Sequence, residues 1–334
     1  MFRAGIVGCG NIARIHAQAL KNAGCAAIQA FADAKEEKAK EYCSLYGTEH
    51  TRAYHSLEEM LKEEELDTVH ICTPHYLHVP MARKALEKGV HVFMEKPPAI
   101  SKEEFFLLEQ AKEKSGKEVG ICFQNRYNDA VEKIRETLNS GKLGNVKGAR
   151  AFVTWNRGAE YYTGSSWRGA WGTEGGGILI NQAIHTLDLL VYLLGKPESA
   201  EGSFHNHHLK HIIEVEDTME AYIKFPKGCA CFYATGAYAD DAPVLLDILC
   251  ESGAVRMEGE RLKIIKSGGS SQSYDFEKKS GIPGKKYWGN SHQACIQDFY
   301  DSILEGRIFR NRLESVKDTF LLAMDLYSQA KQNK

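Results

Sequence analysis

The first 123 residues alternate short apolar runs with amphipathic segments, and this alternation limits the fold more than any other feature of the chain. Apolar runs fall at 2–7, 26–32, 68–72, 90–94 and 119–123. Between them lie helical patterns of roughly 10–15 residues. Two of these open on S-x-x-E capping signatures, Ser56 with Glu59 and Ser101 with Glu104. Short apolar strands linked by helices predict right-handed βαβ units and a parallel sheet covered on both faces. Residues 1–123 are therefore expected to form a doubly wound α/β domain.

After residue 123 the texture changes. A helix at 130–139 and an alternating strand at 146–155 lead through a loop rich in Gly, Tyr and Trp (157–177) to a helix at 178–194. Strand patterns at 215–225, 229–235, 244–251, 254–258 and 262–266 follow, the stretch 267–273 reads as an exposed turn, and helices at 291–305 and 313–331 close the chain. Residues 124–334 are expected to form an α+β domain with a large open, mainly antiparallel sheet, the closing helices 291–331 included.

Composition removes several classes. Lys and Arg number 42 against 44 Asp and Glu, so no basic surface for nucleic acid is expected. No uncharged apolar run approaches the ~18 residues of a membrane span, and the N-terminus has no signal-peptide layout. Nine cysteines without a C-x-x-C read as reduced thiols. A cytoplasmic protein with no membrane partner is expected.

Gly8-Cys9-Gly10-Asn11-Ile12-Ala13 fits G-x-G-x-x-A between the first strand and the first helix. Gly8 permits the tight turn, Gly10 lets backbone approach a pyrophosphate, and the helix N–H groups at Asn11 and Ile12 face the anion. The pattern predicts a dinucleotide-binding Rossmann domain. Asp33, ending the second strand, suits the adenosine ribose and repels a 2′-phosphate, which favours NAD; Lys35 and Lys38 keep NADP open.

In an open α/β sheet, chemistry gathers beyond the carboxyl ends of the strands. Two such ends carry unusual residues, Thr73-Pro74-His75 and Glu95-Lys96-Pro97-Pro98. Downstream, Asn181, His185 and Asp188 fall on one face of a helix that follows Gly175-Gly176-Gly177. A lone helical histidine is more often a satisfied core residue; this one gains interest from the lysine.

The segments GIVGCGNIA, CTPHYLH, MEKPPA, FQNRYND and EGGGILINQAIHTLDLL, in that order, resemble the glucose–fructose oxidoreductase / inositol dehydrogenase / rhizopine-catabolism (Gfo/Idh/MocA) family over the whole chain. The resemblance implies NAD(P)-linked oxidation or reduction of a secondary hydroxyl on a sugar, cyclitol or nucleotide-sugar acid. It also implies a C-terminal sheet used to build a homodimer or homotetramer. Lys96 matches the family lysine at the reacting hydroxyl and His185 the family histidine. The implied cofactor contacts beyond the glycine loop are Thr73, Pro74, His75, His78, Glu95 and Lys96, with Glu95 and Thr73 near the nicotinamide ribose and a cis bond before Pro97. One position departs from the pattern: many members carry Asp where this chain has Asn181. Asn cannot ionise but can still orient a substrate hydroxyl, so Asn181 and His185 are expected to bind substrate; His185 lacks a partner that would raise its pKa and is expected as the base, with Lys96 as positioner and polariser.

Tyr161, Tyr162, Trp167, Arg168 and Trp171 suit the C–H faces of a sugar and an anionic substituent, or equally a subunit contact. Asn125 and Arg126 are expected either to contact substrate or to tie the domains, and His292 to be structural. His205, His207, His208 and His211 lack the companions of a structural zinc site, so no metal is expected. Two alternatives stand beside a dehydrogenase: a redox-neutral glycosidase that retains NAD and works through a 3-keto sugar, and a non-catalytic sugar or dinucleotide sensor.

Overall fold

The computed structural model describes residues 1–240, 242–276 and 291–332. The chain divides into two compact units, Met1–Phe123 with Ser291–Val316, and Gln124–Asn290 with Lys317–Lys334.

In the first unit, strands β1 (Phe2–Val7), β2 (Ala26–Ala32), β3 (Arg52–Tyr54), β4 (Thr68–Ile71), β5 (His91–Met94) and β6 (Val119–Ile121) form one sheet in the order β3-β2-β1-β4-β5-β6. All its pairings are parallel. Ile6, Phe31, Val69, Ile71, Val92 and Phe93 are fully buried, as strands covered on both faces require. Strand order reverses direction between β1 and β4, which makes their carboxyl ends the switch point of a doubly wound sheet. Both capping boxes form: Glu59 N donates to Ser56 Oγ and Glu104 N to Ser101 Oγ, each at 3.2 Å. Only β3 escapes the sequence pattern, being three residues long and largely without burial.

The helix His292–Glu305 corrects the expected domain boundary. Its buried stripe of Cys295, Ile296, Phe299 and Tyr300 belongs to the first unit. Phe299 packs on Phe93 with ring centroids 5.1 Å apart, and Asn311 Nδ2 donates to the Phe123 carbonyl at 2.9 Å. Residues 291–316 thus return to the first unit, and the chain rejoins the second unit only at 317.

The second unit is built on β7 (Val146–Trp155), β8 (Ser199–His205), β9 (Thr218–Phe225), β10 (Gly228–Ala239), β11 (Leu245–Cys250), β12 (Gly253–Glu258), β13 (Arg261–Lys266) and β14 (Ser271–Asp275). The order is β14-β13-β12-β11-β7-β10-β9-β8, antiparallel except at the β7–β10 pair. Strand alternation sends Ala151, Val153, Phe232, Leu246 and Ile248 to a buried face. The opposite face carries Tyr222, Leu245 and Leu249 beside a ladder in which Asp247 bridges Arg150 (2.7 Å) and Arg256 (3.0 Å). Residues 267–270 form the expected exposed turn, but 271–273 belong to strand β14: its serines and glutamine carry no apolar signal, yet they pair with β13. The stretch Trp171–Leu194 is apolar and long enough to cross a membrane by composition, but 83% of its most apolar window is buried inside the protein, so it serves as core. All nine cysteines are free thiols.

Candidate active site

The first unit gathers the predicted cofactor residues at the carboxyl ends of four neighbouring strands, β2, β1, β4 and β5. Gly8 sits at φ 88°, and a Cβ there would lie 2.7 Å from the Cys72 carbonyl oxygen, so the turn requires glycine. A Cβ at Gly10 would meet nothing within 4 Å. The helix Asn11–Ala23 begins at Gly10 with no side-chain cap and no acidic residue in its first turn. Open space at Gly10 and an uncapped helix N-terminus are what a pyrophosphate needs, so these residues fit a dinucleotide. Asp33 is tied to the loop, accepting from Cys9 N and Lys35 N at 2.8 Å each. Tyr42, which the motif does not flag, donates its hydroxyl to the Gly10 carbonyl at 2.8 Å.

Thr73 and the Lys96–Pro97 bond, which is cis, are coupled through His78. The buried His78 ring packs between the two strand tips, Nδ1 2.8 Å from the Pro97 carbonyl and Nε2 3.0 Å from the Thr73 carbonyl; burial lowers its pKa, and the neutral ring donates to one of the two. His75 is buried, Pro74 caps its turn, and Lys96 is half-buried. Thr73 Oγ1 is buried without a partner among the described residues.

Behind Lys96, Glu95 anchors a buried chain. His16 Nε2 lies 3.0 Å from Glu95 Oε1, His16 Nδ1 2.9 Å from His70 Nδ1, and His70 Nε2 2.8 Å from the Tyr300 hydroxyl. Burial alone would raise the Glu95 pKa, but hydrogen bonding and charge from His16, with the charges of His292 and Lys96, hold it far below the usual carboxylate range. Burial alone would lower the His16 pKa, but hydrogen bonds to Cys122 and Glu95 carry it up to about 9. Burial, then the His16 charge, keeps His70 neutral. His16, Glu95 and Cys122 offer donor atoms within 4.8 Å of one another, and this ion pair with its hydrogen bonds accounts for the cluster without a cation. The stability held by the His16 proton is complete below the ordinary histidine pKa of 6.5 and is lost as pH rises through about 9. The wild-type denaturation midpoint should fall across that window, and His16→Gln should remove the slope; a flat wild-type profile would mean that His16 is neutral.

In the second unit the predicted helix face is split by a π-helical turn, Leu179–Ala183, which holds Asn181 and leads into the helix Ile184–Leu194 with His185. Such turns recur at functional sites because they re-aim side chains. Asn181 and His185 are 8% and 5% exposed. Asp188, on the same helix, faces inward and accepts from Arg126 Nε at 2.7 Å, Arg126 Nη2 at 2.5 Å and Thr319 Oγ1 at 2.9 Å. The Arg126 guanidinium also stacks 4.8 Å over Tyr192. Arg126 is therefore placed as an internal ion pair of the second unit. Asn125 beside it is buried, and neither atom of its amide has a partner among the described residues. Arg168 stacks on Tyr161 (4.4 Å) and Trp167 (4.7 Å), and both aromatic rings are half-buried.

Three residues around the triple glycine escaped sequence reasoning. Glu216, fully buried, accepts from Gly177 N (2.8 Å), Leu179 N (3.0 Å) and the Tyr327 hydroxyl (2.7 Å), fixing the start of the π turn. A Cβ at Gly177 would lie 1.9 Å from the Glu216 carbonyl oxygen, which explains that glycine. Glu174, also fully buried, accepts from Asn181 Nδ2 and from Gly169 N. A charged residue directly before three glycines was the available signal. Among the histidines of 205–211, two stack at 4.9 Å, and Asp217 binds their backbone, accepting from His207 N, His208 N and Leu209 N.

Residues 2–123 match the profile of an oxidoreductase family with an NAD-binding Rossmann fold, and residues 131–256 match the GFO/IDH/MocA C-terminal domain. D-glucoside 3-dehydrogenase of Escherichia coli is 29% identical over 61% of this chain and 57% of its own length. Myo-inositol 2-dehydrogenase of Thermotoga maritima is 25% identical over 58% of this chain and 55% of its own. The matched stretches thus span little more than half of those relatives. The WlbA dehydrogenase of Bordetella pertussis, solved with NADH and UDP-GlcNAcA, superposes with a TM-score of 0.86 at 25% identity, covering 100% of this chain and 97% of that one. With both of its units matched, the chain belongs to the Gfo/Idh/MocA oxidoreductase family.

Proposed function

We propose that the protein is an NAD-dependent dehydrogenase that transfers hydride between a secondary hydroxyl carbon of a sugar, cyclitol or sugar acid and the nicotinamide. One observation carries the reading: the glycine loop, Asp33, Thr73 and Glu95-Lys96 lie at the ends of β1, β2, β4 and β5, strands that are consecutive in one sheet. From β2 to β5 is three strand spacings, about 14 Å, which gives a dinucleotide one continuous edge from ribose to reacting end. Bound NAD supplies the hydride acceptor. The Asp33 charge favours a free 2′-hydroxyl over a 2′-phosphate. Glu95 and His78 hold the Lys96 loop, and Thr73 offers a hydroxyl to ribose. Lys96 orients and polarises the substrate hydroxyl, and His185 takes its proton.

The named relatives support a ring bearing secondary hydroxyls as substrate, a glucoside in one case and myo-inositol in the other. Tyr161 and Trp167 suit the C–H faces of such a ring, Arg168 suits an anionic substituent, and the orphaned Asn125 amide suits a ligand polar group. A screen of sugars, uronic acids, inositols and nucleotide sugars with NAD and NADP in parallel tests the proposal. NADH formation with at least one compound, and a higher kcat/KM for NAD than for NADP, is the expected result. Glycoside cleavage without added NAD would favour the redox-neutral alternative, and NAD binding without turnover of any polyol would favour a sensor. Nine free thiols suit a reducing, cytoplasmic setting.

The half-apolar outer face of the eight-stranded sheet suits a homodimer or homotetramer. Leu249, 56% exposed, lies on it, so Leu249→Glu should yield monomer by light scattering. An unchanged mass would remove this face from the assembly.

A further inference from the structure

Among its partners, the Asn181 amide nitrogen meets two groups of the second unit. One is Glu174 Oε1, which accepts from Nδ2, and the other is the Tyr161 hydroxyl, 3.3 Å from the same nitrogen. A carboxylate oxygen can face only the NH2 end of an amide, since the other end is also an acceptor. We propose that Glu174 is a positioning residue: it fixes the Asn181 amide with NH2 turned toward Glu174 and Tyr161, so that a substrate hydroxyl meets the acceptor end. This rests on the reading of Asn181 and His185 as the substrate-binding turn.

Three further observations bear on the idea. Glu174 is itself pinned, because Oε2 accepts from Gly169 N at 2.5 Å. The Tyr161 oxygen takes amide hydrogens from both Asn181 (3.3 Å) and Gln182 (3.1 Å). The Tyr161 hydrogen then points elsewhere and finds no acceptor among the described residues, so the tyrosine presents a donor next to the asparagine's acceptor. Finally, an asparagine at 181 fits Glu174 better than an aspartate would. A second carboxylate against Glu174 Oε1 would set two like charges in contact.

The hold is pH-sensitive. Burial pushes the Glu174 pKa up to about 7, opposed by hydrogen bonds from Gly169 N and Asn181 and by the Arg168 charge, with Glu216 raising it further. Tyr162 and Tyr327, the other titratable groups that sense Glu174, have pKa values raised above the ordinary tyrosine range and stay neutral near pH 7. Below about 7 the protonated Glu174 no longer dictates the amide's orientation.

The test is Glu174→Gln. Gly169 N demands the glutamine oxygen, so the glutamine NH2 faces Asn181 and turns its amide around. KM for the sugar should rise about tenfold, with NAD affinity retained. The acidic limb of kcat/KM near neutral pH should become shallower, the remainder belonging to the base His185 and to Glu216, whose pKa burial also raises to about 7. In Glu174→Gln/Asn181→Asp the glutamine NH2 again meets an acceptor, and KM should recover. Asn181→Ala separates the two levels of the argument. If Asn181→Ala is impaired while Glu174→Gln keeps wild-type KM and pH profile, the positioning role is overturned and the site reading stands. If Asn181→Ala has wild-type kinetics, both fall. Should Glu174→Gln fail to fold, the same limb is read in Glu174→Asp, which keeps the charge on a shorter arm. A raised KM with the limb retained supports the role, and wild-type KM overturns it.

Discussion

Lys96→Ala and His185→Ala should each lower turnover by about 10²–10⁴-fold, the range expected for loss of a positioned proton-transfer group. NAD affinity should stay within about twofold, since the pyrophosphate loop and Asp33 are untouched and a positioned acid–base group acts on the chemical step. The two substitutions should differ in kind. Losing the base removes the limb of the pH–rate profile in which it titrates, whereas losing the polariser lowers the whole profile. The combined variant should be little worse than either alone, because groups that act as a unit are not additive. Near-normal turnover in both single variants would remove these residues from the chemistry. A large loss of NAD affinity in Lys96→Ala would instead recast Lys96 as a cofactor clamp.

Asp188→Asn should cost about 3–5 kcal/mol of stability, because it leaves the Arg126 guanidinium buried without its counter-charge. Arg126 and Asp188 are each 1% exposed, and Asp188 also accepts from Thr319. The double replacement Arg126→Met/Asp188→Leu should be far milder, since it removes the desolvation penalty along with the attraction. Denaturant midpoints of the three variants check this. An Asp188→Asn protein as stable as wild type but catalytically dead would move the pair out of the core and into the reaction.

Legibility in the sequence followed the length scale of the signal. The parallel sheet was readable because buried strands such as 26–32 are continuous apolar runs, and the glycine loop because strand, turn and helix must meet there. The strand Val146–Trp155 was readable from its alternation. Elements without a pattern were not: β3 is too short, and the polar β14 is set by its partner strand. The closing helix His292–Glu305 carries an apolar stripe that says it is buried but not against what, so its unit emerged only from Phe299 on Phe93. At the site, motif positions such as Asp33, Thr73 and Lys96 were visible because they sit at strand ends. His16, His70 and Glu174 were not, since their meaning lies in partners up to 230 residues away, as His70 with Tyr300 shows. Polar residues inside otherwise apolar stripes were the only trace.

The decisive measurement uses a substrate found in the screen, labelled with deuterium at its reacting carbon and incubated with NAD. Mass spectrometry of the nicotinamide then shows where the label went. Recovery of one deuterium per NADH by the wild type, with labelled NADH formed at least about 10²-fold more slowly by Lys96→Ala/His185→Ala, is the predicted result. Unlabelled NADH, or label transfer at the wild-type rate in the double variant, would contradict it.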